Sequence, residues 1–433
     1  MNLKRYDLTK QDNLCDFYRE FEARRAGSKR DVTDAVSEIL RQVKSRGDAA
    51  LYEYTEKFDG ADLKSTGFAV TEEELEQAFR QVDRTLLSVI EQAAENIRAF
   101  HKNEMERSWS VSKEPDTRLG IRVSLIEKAG VYVPGGSAPL PSSVLMNIIP
   151  AKTAGVSEIV MCTPPSKDGS VAPVILAAAK ISGADRIYKV GGAQAIGAMA
   201  YGTETVPRVD KITGPGNAFV ATAKRCVFGT CGIDMIAGPS EILIVADQTA
   251  NPEYVAADML SQAEHDPRAA AVLITTDSAL ADLIPSLLEK QLANLSRRDI
   301  ALRSLQDNGA VILTNSQAQA MEICNFIAAE HLELCVENPE QLLDSVKNAG
   351  AVFLGNWSPE PMGDYYCGTN HILPTGGSAR FSSPLGVWDF LKRTSVIQYG
   401  RSGFSKDREA AALFAAAEGL TAHENAIRIR KQR

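Results

Sequence analysis

The sequence predicts an α/β protein with two Rossmann-like parallel-sheet domains and small helical pieces at both ends of the chain. From residue 119 onward, short apolar runs recur about every twenty-five residues, with apolar helical segments between them. Strands that alternate with helices in this way form a parallel sheet with helices on its faces. At 433 residues the chain also exceeds what one hydrophobic core usually supports.

The domain boundaries follow from where the pattern changes. One series of strands contains "SEIVMC", "DRIYKV" and "DKIT", and a later series contains "AAVLITT", "GAVILT", "HLELCV" and "GAVFLGN". The first hundred residues show helical spacing instead, with one apolar stripe at Val32, Val36, Ile39, Leu40 and Val43. We therefore predict a helical arm, a first α/β domain, a second α/β domain inserted into it, and a small C-terminal domain, at residues 1–30, 31–118 with 238–380, 119–237, and 381–433.

The C-terminal piece is expected to contain no strands. After "RFSSPLGVWDF" the chain continues with two short helical segments, "KDREAAALFAAAE" and "TAHENAIRIR". Such a piece has too small a core to fold alone, so we expect it to dock on another surface, such as a second subunit.

Composition excludes several classes of partner. The formal net charge of −8 argues against a nucleic acid or an anionic membrane as the main partner. No apolar run approaches the ~18 residues that a membrane span needs. The first residues carry no apolar signal core, which predicts a cytoplasmic protein. The seven cysteines include no CxxC pair, so reduced, mostly buried thiols are expected.

Glycine turns follow three of the predicted strands. They lie in "VPGGSAPLPSS", "VGGAQAIGA" and "GPGNAF", at the ends of strands where α/β sheets bind ligands. Together they favour a nucleotide-sized ligand. The last of them departs from the dinucleotide fingerprint because Phe219 occupies its third small-residue position. We expect an incomplete, atypical dinucleotide fold, and Asp234 lies about the right distance downstream for a ribose contact. The alternative for "GPGNAF" taken alone is a tight turn without a ligand.

Histidines occur at helix ends and in loops, next to carboxylates or amides. Gln262 and His265 are three residues apart on one helix, Asp364 and His371 share a loop, and Glu418 and His423 flank a helix–helix turn. Imidazole, amide and carboxylate groups together suit Zn²⁺. The alternative is that each is a satisfied polar residue at the boundary of an element.

"AAEHLEL" places Glu330 and His331 side by side among apolar residues. If Glu330 ends its helix, the helix dipole and partial burial both raise its pKa towards neutrality, where a general base works best. His331 begins the next strand and titrates near neutrality unaided. The alternative is a helix C-terminus stabilised by His331, with Glu330 in a salt bridge.

These segments together resemble the histidinol dehydrogenase family. "VYVPGG", "VGGAQAIGA", "DKITGPGNAFV", "AGPSEILIVAD", "SQAEHDP", "AAEHLEL", "GDYYCGTNHILPT" and "GLTAHENAIR" follow the family's order from about residue 30 to about residue 430. The resemblance implies oxidation of L-histidinol to L-histidine, the last step of histidine biosynthesis, with two NAD⁺ consumed through an aldehyde-level intermediate.

The resemblance also implies roles for individual residues. Glu330 and His331 match the acid–base pair, and the match for one Zn²⁺ per subunit is Gln262, His265, Asp364 and His423, residues that also contact substrate together with Ser240, Glu418, Glu330 and His331. Tyr132, Gln194 and Asn217 match NAD contacts, which places NAD on the domain at 119–237. The family is a homodimer in which the C-terminal domain completes the partner's site. His371 and residues 1–30 stay unassigned.

Two other functions remain open at this point. A thiol-dependent aldehyde dehydrogenase would use Cys162 or Cys367 to form a thiohemiacetal, although neither has an evident base beside it. A two-domain binding protein would close its α/β halves on a small ligand without chemistry.

Overall fold

The computed structural model describes residues 3–9, 14–27, 31–135 and 139–430. The chain forms two compact units, Met1–Glu104 with Glu127–Phe390, and Met105–Ile126 with Leu391–Arg433. The first unit contains two parallel sheets covered by helices, so the predicted α/β fold is confirmed. Among the described residues, no helix has the length and apolarity needed to cross a membrane.

The strands are β1 (Lys4–Asp7), β2 (Trp109–Lys113), β3 (Thr117–Leu125), β4 (Lys128–Tyr132), β5 (Glu158–Thr163), β6 (Arg186–Lys189), β7 (Lys211–Thr213), β8 (Gly232–Ile233), β9 (Glu241–Ala246), β10 (Ala270–Thr275), β11 (Ala310–Leu313), β12 (His331–Cys335), β13 (Ala351–Leu354) and β14 (Leu391–Tyr399). The helices are α1 (Leu14–Gly27), α2 (Thr33–Arg46), α3 (Asp48–Asp59), α4 (Glu72–Gln81), α5 (Arg84–His101), α6 (Pro141–Ala154), α7 (Pro173–Ser182), α8 (Gly192–Tyr201), α9 (Ala218–Val227), α10 (Pro252–Ala263), α11 (Ser278–Leu292), α12 (Arg298–Asn308), α13 (Gln317–Ile327), α14 (Pro339–Leu343), α15 (Glu360–Tyr365), α16 (Arg401–Ala417) and α17 (Thr421–Arg428).

The larger sheet of the first unit has six parallel strands in the order β1-β11-β10-β9-β12-β13. Its apolar strand residues are buried on both faces, as a parallel sheet requires. The edge strand β1 belongs to the N-terminal arm, which we had predicted to be helical throughout. The side chains of its four residues are mostly exposed and show no apolar alternation, so the sequence does not predict this strand.

The smaller sheet has five parallel strands in the order β6-β5-β4-β7-β8, so its strand order reverses between β4 and β7. The predicted stripe on α2 is buried, with Val36, Leu40 and Val43 in the same core as Tyr132 and Ile212 of this sheet. The predicted division had placed residues 31–118 with the other sheet. Helical spacing shows which face is buried but not which sheet covers it.

The second unit is an antiparallel sheet, β14-β3-β2, followed by α16 and α17. The prediction that the chain has no strands after residue 390 is wrong, because β14 pairs with β3 over nine residues. Most of β14 is exposed, so its sequence lacks the apolar signal of a core strand. The two predicted C-terminal helices are confirmed as α16 and α17.

Candidate active site

The acid–imidazole pair lies at the amino end of β12. Helix α13 ends at Ile327, and Ala328 caps it in the left-handed conformation with φ 51°. Glu330 therefore lies beyond the helix rather than terminating it, and His331 begins the strand as predicted. The Glu330 carboxylate Oε2 accepts a hydrogen bond of 3.0 Å from the backbone N–H of Glu241, at the start of the neighbouring strand β9.

Burial sets the proton affinities of this pair. Burial raises the pKa of Glu330 to about 7, which places the carboxyl where a general base works well. Burial lowers the pKa of His331, but the surrounding carboxylates, Glu330 first, outweigh it and raise that pKa to about 10. The sequence had predicted a near-neutral imidazole, because a linear reading does not show how many carboxylates surround the ring.

The tautomer of neutral His331 follows from its backbone contact. Its Nδ1 lies 3.1 Å from the carbonyl oxygen of Glu241, and because a carbonyl only accepts, Nδ1 carries the proton. Nε2 is buried without a hydrogen-bond partner. The neutral ring therefore presents Nε2 as its proton acceptor.

Two carboxylates of α15 face this nitrogen. Nε2 lies 3.7 Å from Glu360 Oε1 and 3.8 Å from Asp364 Oδ1. Burial raises the pKa of Glu360 to about 8. Burial also raises that of Asp364, but the interaction with the nearby His331 ring and the charge of His371 hold the pKa of Asp364 well below its usual range. Ligand atoms of His331, Glu360 and Asp364 lie within 4.8 Å of one another, as a metal site requires.

The end of α10 borders the same cluster. Gln262 is 1% exposed, yet neither its amide oxygen nor its amide nitrogen has a hydrogen-bond partner. Its neighbour Ser261 donates a 3.4 Å hydrogen bond to Glu360 Oε2. Desolvation lowers the pKa of His265, and the charge of the nearby Asp364 carboxylate opposes that shift. A buried amide without partners is costly, so the orphaned Gln262 suggests a ligand at this position.

The remaining residues predicted to bind the metal or the substrate are divided between the two units. Ser240 directly precedes β9 and is partly exposed, next to the Glu241 N–H that holds Glu330. Glu418 and His423 belong to the second unit, Glu418 as the cap of α16 and His423 in the first turn of α17. Both side chains are exposed in this chain.

The loop after α15 connects this cluster to the smaller sheet. His371 Nδ1 donates a 3.1 Å hydrogen bond to the Asp364 carbonyl oxygen, and its Nε2 lies 3.4 Å from Ser143 Oγ on α6. Asn370 donates a 2.8 Å hydrogen bond to the carbonyl of Met146, also on α6. Since α6 follows β4, the loop that follows Asp364 and α15 is anchored to the sheet that bears the predicted cofactor contacts.

The three predicted cofactor contacts lie at the carboxyl edge of the smaller sheet. Tyr132 ends β4 and accepts a 3.0 Å hydrogen bond from the Gly192 N–H, while burial raises its pKa to about 12. Gln194 is buried on α8, and Asn217 is the exposed N-cap of α9. This is where the strand order reverses, the usual ligand crevice of such sheets. Part of the "VPGGSAP" turn, residues 136–138, lies outside the described residues.

A fourth candidate cofactor contact, Asp234, does not fit. The Asp234 side chain is 1% exposed, and its carboxylate accepts from the N–H groups of Gly214 and Met235 while it pairs with Lys224. It is therefore not available to a ribose. Spacing alone had suggested that role.

Sequence reasoning missed two buried acids next to the pair. Glu360 is 2% exposed, and its backbone N–H donates a 2.8 Å hydrogen bond to Glu333, which shares a strand face with His331. Signals for both were available. Glu360 lies one helical turn before Asp364, and a glutamate inside the buried strand "HLELC" is exceptional.

A crevice at the reversal of strand order, together with a buried carboxyl–imidazole pair, is typical of a dehydrogenase. The family profile described as Histidinol dehydrogenase matches residues 22–431. The chain belongs to the histidinol dehydrogenase family and is an NAD-dependent oxidoreductase.

Similar proteins extend over almost the whole chain. The histidinol dehydrogenase of Bacillus subtilis is 52% identical over 92% of this chain and 93% of its own length. That of Clostridium acetobutylicum is 48% identical over 97% and 98%. The crystal structure of histidinol dehydrogenase from Elizabethkingia anophelis has a TM-score of 0.92 at 39% identity, covering 99% of this chain and 98% of that one.

Proposed function

We propose that this protein oxidises L-histidinol to L-histidine, the last step of histidine biosynthesis, through an aldehyde-level intermediate with two NAD⁺. The observation that carries the proposal is the buried Glu330–His331 pair, which lies against a cluster of metal-type ligands. The named activity of its relatives supplies the substrate.

Residues at the end of α10, just after it and on α15 fit a zinc ion. The amide of Gln262 is buried without partners, Asp364 is ionised, and His265 lies nearby, which makes a donor set suited to Zn²⁺. We propose these three as ligands, with His423 as the fourth. When bound, Zn²⁺ would serve as a template for the imidazole and amino nitrogens of the substrate.

His331 is proposed to accept the proton of the substrate hydroxyl. Nε2 is the free acceptor of the neutral ring, but a pKa of about 10 would keep it protonated at neutral pH. A cation bound by Asp364 would lower that pKa, because it neutralises one of the carboxylates that raise it. Metal binding would therefore favour the unprotonated form of His331, which is the form that can act as a base.

Glu330 is proposed to activate the water that adds to the aldehyde. With a pKa of about 7, about half of it is ionised at neutral pH, and its hydrogen bond to the Glu241 N–H fixes its orientation. Tyr132, Gln194 and Asn217 are proposed to hold NAD⁺, which accepts the hydride in each oxidation.

The second unit is proposed to complete the site of a partner subunit in a homodimer. It buries little of its own apolar surface: α17 has no buried residue, and α16 buries only Gly403 and Ala412. Ile397 is 69% exposed and Phe414 71% exposed. A unit with so small a core is stabilised by docking on another chain. In the partner's site, Glu418 would contact the substrate, as would Ser240 from the first unit.

The central experiment counts NADH released per histidinol consumed. We expect two NADH per histidinol in the zinc-loaded protein, almost no turnover after chelation, and recovery when Zn²⁺ is added back. The physical reason is that the metal holds the carbinol near the nicotinamide. One NADH per histidinol would exclude the second oxidation. Full turnover by protein verified to be metal-free would exclude the template role.

The thiol mechanism makes a different prediction for cysteine variants. Cys162 is fully buried on β5, and burial raises the pKa of its thiol to about 12, so a thiolate there is strongly disfavoured. Cys367 is exposed and lies 3.0 Å from Thr369 Oγ1. We expect Cys162→Ala and Cys367→Ser each to keep aldehyde oxidation within about threefold of the parent. A thiohemiacetal mechanism requires a loss of about 10³-fold or more in one of them.

A further inference from the structure

A buried ion pair fixes the backbone of the glycine turn at Gly214, in the predicted cofactor crevice. Lys224 lies on α9 and Asp234 follows β8; their side chains are 2% and 1% exposed, and they contact each other directly. The pair is deeply buried, so neither side chain is available to contact the cofactor, including Asp234, for which a ribose contact was expected. Its hydrogen bonds to the backbone of this turn indicate a role in orienting the turn.

The two members of the pair bind the backbone of the same residue, one on each of the two peptide units that flank it. Lys224 Nζ donates a 2.8 Å hydrogen bond to the carbonyl oxygen of Gly214, and Asp234 Oδ2 accepts a 2.8 Å hydrogen bond from the N–H of Gly214. Gly214 directly follows β7, in "GPGNAF". The two hydrogen-bonding groups of its backbone are therefore both fixed by side chains, which sets the direction of the chain as it leaves the sheet.

The turn has little freedom of its own at this point. Gly214 has φ +116°, and a Cβ placed on it would lie 2.1 Å from the carbonyl oxygen of Tyr132. The turn thus presses against the end of β4, where the strand order reverses, and three residues later Asn217 caps α9. A change in the Gly214 peptide would move both Asn217 and the first turn of α9.

Stability alone does not account for such a pair. Desolvating two charges costs about as much as their attraction returns, and well-packed apolar replacements are often neutral or stabilising. What an apolar pair cannot do is donate to one backbone group and accept from the other. This pair of hydrogen bonds is specific to orienting the backbone on both sides of Gly214.

We propose that Lys224 and Asp234 are positioning residues for the dinucleotide: they orient the Gly214 turn so that Asn217 and the start of α9 face the cofactor. The inference rests on the proposed NAD⁺ site at this crevice. It assigns no contact between either side chain and the cofactor. Removing the pair should weaken cofactor binding while the Glu330–His331 chemistry proceeds once the cofactor is saturating.

The test compares Lys224→Met, Asp234→Asn and the double variant Lys224→Met/Asp234→Leu. Each is expected to raise KM for NAD⁺ by about tenfold or more, with kcat and KM for histidinol within about threefold of the parent. The double variant also separates positioning from folding, since it removes both charges and should melt near the parent temperature. Recovery of the parent KM for NAD⁺ in the double variant would overturn the proposal.

A matched control lies at the other end of β7. Lys211 is also paired, with Asp389 at 2.8 Å, but at the amino end of the strand. Lys211→Met is expected to leave KM for NAD⁺ unchanged; an equal rise there would mean that any lost ion pair disturbs the sheet, and would overturn the specific role of Lys224. NAD⁺ binding by the parent, measured by calorimetry, separates the two proposals. Failure of the parent to bind refutes the NAD⁺ site itself, whereas parent-like binding by all variants refutes only the positioning role.

Discussion

Glu330→Gln is expected to slow oxidation of the aldehyde by about 10²–10⁴-fold while slowing oxidation of the alcohol by less than about tenfold. The amide keeps an oxygen that can accept from the Glu241 N–H, so the local structure should persist. What it loses is the ability to take a proton from water, which only the aldehyde step requires. The two half-reactions are measured separately, with histidinol or the amino aldehyde supplied and NADH followed in a stopped-flow instrument.

The pH profile gives an independent reading of the same variant. Burial raises the pKa of Glu330 to about 7, so the base-competent, ionised form accumulates only as pH rises through that value. Aldehyde oxidation by the parent should therefore increase from pH 6 to pH 8, and Glu330→Gln should lose this inflection. An unchanged inflection in the variant would assign the titration to another group.

His331→Asn is the matched comparison, because it removes the neighbouring base at the start of β12. Its loss should fall mainly on the alcohol step, where Nε2 is proposed to accept the hydroxyl proton. Equal losses in both half-reactions for both variants would contradict the division of roles between Glu330 and His331.

The sequence predicts the parts of this protein in which periodicity is enforced by burial. The parallel strands of the first unit are apolar because both faces of each sheet are covered, so the α/β class follows from short apolar runs. β1 and β14 escape the same reasoning because most of their residues are exposed, and an exposed strand selects for no apolar pattern.

Some residues of the candidate site can likewise be identified from the sequence, whereas others cannot. Glu330 and His331 stand out in sequence because polar neighbours are unusual within an apolar run, and the structure buries both. The predicted ribose contact of Asp234 is wrong because spacing along the chain does not show that its carboxylate already binds Lys224 and the Gly214 N–H. Only part of the raised pKa of His331 could be anticipated, because Glu330 is its neighbour in sequence whereas Glu360 and Asp364 reach it from a helix distant in sequence.

A heterodimer of Asp364→Ala with His423→Ala is expected to regain about half the activity of the parent dimer, although each variant alone is nearly inactive. Asp364 lies in the first unit and His423 in the second. If each site combines the first unit of one chain with the second unit of its partner, both defects fall in one site. The other site then has a complete ligand set. The two chains are co-expressed with different affinity tags, and the doubly tagged species is purified and assayed with Zn²⁺.

The control heterodimer pairs Asp364→Ala with Gln262→Ala. Both residues belong to the first unit, so each site carries one defect whichever chain supplies the second unit, and no activity should return. If His423 instead served the site of its own chain, the Asp364→Ala/His423→Ala heterodimer would be as inactive as this control. The exposed apolar side chains of the second unit, Ile397 and Phe414 among them, favour the exchanged arrangement, because a partner chain would bury them. The metal content of the purified Asp364→Ala/His423→Ala heterodimer should then be about half that of the parent, since only one of its two metal sites has a complete ligand set.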